Sequence, residues 1–379
     1  MDFELSPTEA MVQKTARSFA EQTLRPLAAE LDRTEQLPAS SLQALADLGL
    51  MGVNIPGALG GAEAGAVAYA VAMMEIAGAC GSTGVTMAVT NMVGEIITQL
   101  GTEAQRERYV PKLTSGECRA GAFALSETEA GSDPASMRTT ARRVQGGWEI
   151  NGQKQWISSG DIAGVFVVWA RTGSAGAKGI SCFLVDKGTA GLRVGKREDK
   201  MGLRASSTVP LSFEGCVVPE DALFGELGRG FAIAMIALDG GRIGIASQAC
   251  GIAAAAIRDA TRYATERQQF GKPLADFQAI QWKLADSRVE LDAARALTLR
   301  AAWLKQQGRS FSKEAAMAKV FASEKANLIC NRTLQVFGGY GYTREFAVER
   351  YLRDVRVTTI YEGTSEIQRM VIARLLLRS

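Results

Sequence analysis

Helical patterning at both ends of this chain encloses a β-patterned middle, and no other feature limits the possible folds as much. From about residue 226 onward, apolar residues recur at helical spacing over long spans. The span from about Phe231 to Arg267 predicts a single helix roughly 55 Å long. A second, about 278–306, sets Leu284, Leu291, Ala294, Leu297, Ala301 and Leu304 on one stripe and ends at Gly308, a residue type that terminates helices. A third covers about 312–336 and a fourth about 364–377, and four helices of this kind predict a bundle. Residues 1 to about 115 are helical as well. Ser6-Pro7-Thr8-Glu9 reads as a capping box with proline at the first helical position, and long Ala/Leu/Met runs follow. Met73 to Val93 is rich in Ala, Gly, Ser and Thr, so helices there either pack closely or leave room for a ligand.

Between these regions, from about 116 to 225, short apolar runs such as Ala120–Leu125, Val165–Trp169 and Ile180–Val185 are separated by turn residues, which predicts strands. Asn151-Gly152, inside Glu149–Lys154, is the strongest short hairpin signal. No helical segment spaces these strands, so a βαβ sheet is not expected. The expected fold is mainly α with a central β domain. It comprises an N-terminal helical domain (1–115), a middle β domain (116–225) and a C-terminal four-helix bundle (226–379).

The chain has 379 residues and no histidine, which removes the side chain most often used for proton transfer near neutral pH. Ser-His-Asp and Cys-His hydrolysis are excluded, and any base must come from carboxylates, lysines, tyrosines or cysteines. The six cysteines (Cys80, Cys118, Cys182, Cys216, Cys250, Cys330) lie far apart without a CxxC pair, so they read as reduced thiols, and no metal site is expected. A net charge of +3 without basic clusters gives no case for nucleic acid. No apolar run reaches the roughly 18 residues of a membrane span, although Ile243–Ile257 comes nearest. Asp2 and Glu4 at the amino terminus, without an apolar core, give no signal peptide. The expected location is the cytoplasm of a bacterial-type cell, or an organellar matrix as a mature form.

Several stretches carry candidate chemistry, each beside a plainer reading. In Ile360-Tyr361-Glu362-Gly363-Thr364, Glu362 reads either as a catalytic base beside a helix start or, with Thr364, as the cap of the last helix. Taken alone, the stretch reads first as a cap. Phe337-Gly338-Gly339-Tyr340-Gly341-Tyr342 either cradles a phosphate or ends a helix, and ending a helix is the simpler account. Phe123 to Asp133 leaves a strand for a polar loop that either presents amides and hydroxyls to a cofactor or is merely a loop. Lys154 to Gly160 places Trp156 two residues from Ser158, a stacking platform or an ordinary core tryptophan. Glu266 to Gly271 ends the long helix with Arg267, which binds pyrophosphate or complements the helix dipole. No GxGxxG fingerprint or P-loop occurs.

Together these stretches are far more specific. From end to end the chain resembles the acyl-CoA dehydrogenases, flavoproteins with this order of helical domain, β-barrel-like domain and helical bundle. Leu125–Asp133, Lys154–Gly160, Arg267–Gly271 and Tyr361–Arg369 agree with the family in order and spacing. Leu238–Gln248, Ser82-Thr83-Gly84 and Glu198–Gly202 look most like the short-chain (butyryl-CoA) branch.

The resemblance implies an FAD enzyme that forms a trans-2-enoyl-CoA from a short or short branched acyl-CoA. Glu362 would remove the α-proton while the β-hydride passes to flavin N5. The backbone amide of Glu362 and a ribityl hydroxyl would hold the thioester oxygen. A desolvated Glu beside the acyl chain would have its pKa raised toward neutrality. In some members the base lies on the long helix, at the position of Gly241 here. Phe123, Leu125, Ser126 and Ser132, with Trp156, Ile157 and Ser158, match segments that hold the isoalloxazine ring. Arg267, Phe270, Gln278, Gln335, Val336, Gly338 and Gly339 match those that hold the pyrophosphate and adenosine, several of them from a neighbouring subunit. Thr364, Ser365 and Glu366 would close over the flavin, and Ser132, Asp239, Arg242 and Gly363 would bind substrate. A homotetramer of paired dimers and an electron-transfer flavoprotein as acceptor are implied as well. Thr128 departs from the proline usual in the flavin loop, and Ser158-Ser159 from a Thr-Asn pair. The rivals are an acyl-CoA oxidase-like enzyme, whose relatives are typically longer, and a non-catalytic acyl-CoA-binding flavoprotein, which would have lost the base.

Overall fold

The computed structural model describes residues 4–377, so Asp2 lies outside the described residues. Six helices come first: α1 (Pro7–Phe19), α2 (Arg25–Thr34), α3 (Ala39–Asp47), α4 (Ala66–Ala79), α5 (Gly81–Leu100) and α6 (Glu103–Thr114). The Ser6 hydroxyl accepts the Glu9 N–H, and the Glu9 carboxylate accepts the Ser6 N–H at 2.8 Å, the reciprocal cap expected from the sequence.

One eight-stranded sheet follows: β1 (Gly121–Ala124), β2 (Thr140–Val144), β3 (Gly147–Ser158), β4 (Val165–Arg171), β5 (Ile180–Asp186), β6 (Leu192–Val194), β7 (Thr208–Pro219) and β8 (Leu223–Phe224). Its order is β6-β7-β3-β2-β4-β5-β8, with β1 pairing parallel to β4. The period of two along β4 serves two cores. Val165, Val167 and Trp169 pack toward α5 and the start of the long helix, while Phe166, Val168 and Ala170 pack against Trp148, Phe183 and Phe213.

The hairpin expected at Asn151-Gly152 forms elsewhere. Those residues lie inside β3, and the β2–β3 turn passes through Gln145-Gly146, where Val144 pairs with Gly147. Gly152 instead marks a register shift against β7 and adopts φ 145°. A Cβ there would sit 2.6 Å from Thr139 Cα, so the glycine serves a bulge and a close approach.

The carboxyl-terminal helices are α7 (Gly230–Glu266), α8 (Gln278–Gln306), α9 (Ser312–Phe337), α10 (Val348–Arg356) and α11 (Ser365–Leu376), with a small hairpin, β9 (Gln268–Gln269) and β10 (Lys272–Pro273), after α7. α7, α8, α9 and α11 fall within a residue or two of their expected bounds. α10 is additional: a short, charge-rich helix packed on α9 and α7 through Val348, Tyr351 and Val355. α7 is long and apolar enough by length and composition to cross a membrane, because interruptions by Gly, Ser and Gln do not lower its mean hydropathy enough. Most of that stretch is packed inside the protein. α4 crosses α7 backbone to backbone: a Cβ on Gly251 would lie 2.2 Å from the Met74 carbonyl oxygen. All six cysteines are free thiols, five of them buried.

Candidate active site

The chain between α10 and α11 passes through one 3₁₀ turn (Val357–Thr359) and then through two consecutive left-handed residues, Glu362 (φ 55°) and Gly363 (φ 86°). A left-handed glutamate is strained and persists only where its surroundings hold it. Here Gln368 Nε2 donates to the carbonyls of Glu362 (3.0 Å) and Gly363 (2.9 Å), and Lys319 Nζ donates to the Gly363 carbonyl at 2.7 Å. The Tyr361 hydroxyl bonds Gln248 Oε1 on α7. With both carbonyls turned inward, the Glu362 N–H has no acceptor among the described residues. Thr364 caps α11 by accepting the Ile367 N–H. The stretch is therefore a helix cap and a presented glutamate at once.

The Glu362 carboxyl rests on α7 where α7 has no side chain. The position of a Cβ on Gly241 lies 2.6 Å from Glu362 Oε2 and 3.0 Å from both its Cδ and Met92 Sδ. Part of Glu362 remains accessible, yet Oε2 is buried and has no hydrogen-bond partner among the described residues. Burial pushes this carboxyl up to about 7, against the pull of the Arg242 and Lys319 cations. Arg242 is itself buried and ion-paired with Asp239, which also accepts from Ser312. Gly241 and Met92 also line a cavity of about 240 Å³, with Tyr69, Ile96 and Ala237 on its walls. The Glu95–Lys305 ion pair closes one side of it.

A second cavity, of about 310 Å³, opens between the sheet and α10. It is lined by Val85, Ser158, Leu203, Ser206, Ile360 and Tyr361 among others. Trp156 is no core residue: it is 56% exposed and left-handed (φ 59°), thrown outward by the second register shift of β3 against β7. The loop after β1 is tied to the same strand. The Ser126 carbonyl accepts the Gln155 N–H at 2.9 Å, and buried Lys154 donates to the Leu125 carbonyl (3.1 Å) and Glu127 (2.8 Å). Glu127 in turn accepts the backbone N–H groups of Arg138 and Thr139. Burial pulls the Lys154 ammonium down to about 8. Phe123 stacks obliquely on Trp169 at 4.3 Å, Ile157 is buried, and Ser132 is exposed near the end of that loop.

The remaining sequence candidates lie at the far end of the bundle. Arg242 and Arg267 are both on or at the end of α7 and, 25 residues apart, stand about 37 Å from each other. Arg267 sits 5.6 Å from the Tyr340 ring, which joins it to Gly338 and Gly339 after α9. Gln335 and Gln278 are exposed there, Val336 is buried, and Phe270 is 94% exposed. Within one chain these residues do not meet Glu362. Ser365 is buried and Glu366 exposed at the start of α11.

Sequence reasoning missed Lys319, Gln368, Gln248 and Tyr69. Lys319 carried a readable signal. It falls in the stripe Ala315, Ala322, Ala326, Ile329 that α9 buries, where a lone lysine has no ordinary place.

Comparison with known proteins agrees with this architecture. Residues 6–117, 122–216 and 228–377 match the N-terminal, middle and C-terminal domains of acyl-CoA dehydrogenase. The chain is 50% identical to the mitochondrial short-chain specific acyl-CoA dehydrogenase of Bos taurus, over 99% of this chain and 92% of that protein. Butyryl-CoA dehydrogenase from Megasphaera elsdenii superposes with a TM-score of 0.98 at 41% identity, over all of both chains. A chain from the structural study of the electron transferring flavoprotein of Acidaminococcus fermentans also gives 0.98 at 41%, again over all of both chains. The chain belongs to the acyl-CoA dehydrogenase family and is an oxidoreductase of that class.

Proposed function

We propose that this protein is an FAD-dependent dehydrogenase that introduces a trans α,β double bond into a short-chain acyl-CoA, with Glu362 as the base. The observation that carries the proposal is the Glu362 carboxyl: buried at Oε2, unpaired, pushed up to about 7, and seated against a glycine that leaves it room. A carboxylate titrating near 7 is matched to accepting the weakly acidic α-proton of a thioester. As that proton leaves, negative charge grows on the thioester oxygen. The free Glu362 N–H, beside the α11 helix start, is a donor for it. Arg242 and Asp239, paired on α7, are assigned to the substrate arm, and the family resemblance assigns Ser132 and Gly363 to it as well.

The residues fit FAD. The outward indole of Trp156 offers a face for a planar ring. Ser158 and the buried Ser206 hydroxyl, which has no partner among the described residues, line the cavity behind it, and the Leu125–Ser126 loop abuts the same strand. FAD held there would supply the two-electron acceptor that the β-hydride needs. Arg267, Phe270, Gln278 and Gln335–Gly339 stand too far from Glu362 in the same chain, which supports their serving the adenosine end of a neighbouring subunit's cofactor in a homotetramer. Similarity to the short-chain enzymes favours a short acyl group, as does the charged Glu95–Lys305 wall, which an apolar tail would desolvate at a cost. An electron-transfer flavoprotein is the proposed acceptor, in line with the Acidaminococcus study.

Glu362→Gln is the test. The variant is expected to keep its bound FAD and lose acyl-CoA-dependent dye reduction by about 10³-fold. Activity within tenfold of the parent overturns the assignment, and faster turnover with oxygen than with the dye would make the protein an oxidase.

A further inference from the structure

The site contains a second built-in charge that the reaction above does not use. Lys319 is fully buried on α9, among the small side chains of Ala315, Ala316, Ala322 and Ser323. The only hydrogen bond its ammonium makes among the described residues is to the Gly363 carbonyl, at 2.7 Å. A buried ammonium without an ion-paired carboxylate is costly, so a fold that keeps one sets it against a group that gains from it. The turn it grips is the left-handed Glu362-Gly363 pair, and the anion nearest to that turn is Glu362 itself. Burial pulls the ammonium down to about 8. Of the three carboxylates that pull it back, Glu362, Glu366 on α11 and Glu324 on α9, the Glu362 charge is the largest influence, while Arg242 opposes them.

We infer that Lys319 is a positioning residue for the α-proton transfer. Its bond to the Gly363 carbonyl fixes the strained turn that aims the Glu362 carboxyl and N–H, and its charge favours the ionised form of the base. The inference rests on the reading of Glu362 as that base. The other groups facing Glu362 are Arg242 from α7, Tyr69 from α4, Tyr361 from its own segment, Met92 from α5 and Gln368 from α11. Both tyrosines stay neutral because burial pushes their hydroxyls up, so Arg242 and Lys319 are the two cations that act on the carboxylate.

The experiment is the pH profile of kcat/KM with butyryl-CoA and an artificial electron acceptor, for the FAD-loaded parent, Lys319→Met, Lys319→Gln and Lys319→Arg. Loss of the charge is expected to move the acid limb up by about one pH unit in both neutral variants, a deficit of roughly tenfold at pH 6 that closes by pH 9. Lys319→Arg, which keeps the charge, is expected to return the limb to within about 0.3 unit of the parent. An unmoved limb in whichever neutral variant folds, with only a uniform loss of rate, overturns the inference. So does failure of both neutral variants to fold and hold FAD, which would leave Lys319 a structural residue. Glu362→Gln belongs in the same series. Activity persisting there overturns the base assignment, whereas an inactive Glu362→Gln with an unmoved Lys319 limb overturns only the role of Lys319.

Discussion

Gly241→Ala tests the site geometry most sharply, because its effects on stability and on rate run in opposite directions. The added methyl would lie 2.6 Å from Glu362 Oε2, and the carboxyl must withdraw by about 0.8 Å to restore the 3.4 Å of ordinary contact. What must move is the end of a flexible side chain and the sulfur of Met92, so the fold can yield. Replacing glycine by alanine inside α7 also favours the helix by about 0.5–1 kcal/mol. The melting temperature is therefore expected to stay within about 2 °C of the parent or to rise. The carboxyl proposed as the base, however, leaves its place by most of an ångström, which is expected to cost about 10- to 100-fold in kcat, or about 1.4–2.7 kcal/mol of barrier. The assay is dye reduction at saturating butyryl-CoA, with FAD content measured from the flavin absorbance and thermal unfolding followed in parallel. A kcat within twofold of the parent at full FAD occupancy would show that the working carboxylate does not rest on Gly241, and would refute the proposed site geometry.

Three further outcomes follow from the same structure. Trp156→Ala removes an exposed side chain, so apoprotein stability should change by less than about 0.5 kcal/mol while FAD dissociates at least tenfold more readily in a dialysis series; unchanged retention refutes the platform. The Glu362 carboxyl titrates higher in the fold than its ordinary value, so its contribution to stability is fully present below the unfolded pKa and is lost as pH rises through about 7. The melting temperature of Glu362→Gln relative to the parent should accordingly rise by at least about 2 °C between pH 5 and pH 8.5, and a flat difference refutes the shift. Gly251→Ala places a methyl against the Met74 carbonyl at the α4–α7 crossing and should cost about 3 kcal/mol in denaturant unfolding, a loss under 1 kcal/mol counting against the crossing.

Local chemistry determined a good part of this molecule. The small and apolar run of α7, the stripe and Gly308 stop of α8, and the capping box before α1 all act within a turn or two of helix, so their outcome can be read from neighbouring residues. α10 escaped because it has only nine residues and follows a Gly/Tyr-rich turn, and its helix is held by packing of Val348, Tyr351 and Val355 on α9 and α7 rather than by local signals. Asn151-Gly152 misled for a related reason. A glycine that supplies a left-handed backbone looks the same in sequence at a hairpin and at a bulge, and only the approach of Thr139 and the register against β7 decide between them.

The site divides along the same line. The sequence alone supplied the residue types, the absence of histidine, Glu362 beside Gly363 at a helix start, and a glycine at position 241. Tertiary structure alone set the Glu362 carboxyl on that glycine, although 121 positions separate the two in sequence. It turned Trp156 outward, and it brought Lys319 and Gln368 to the carbonyls of the strained turn. Desolvation and charge at a carboxyl depend on what packs around it from α4, α5, α7 and α9, and those neighbours are fixed only when the bundle closes. The sequence placed a glutamate where a helix begins, and the folded bundle buried its carboxyl and pushed it up to about 7, the property on which its proposed role as a base rests.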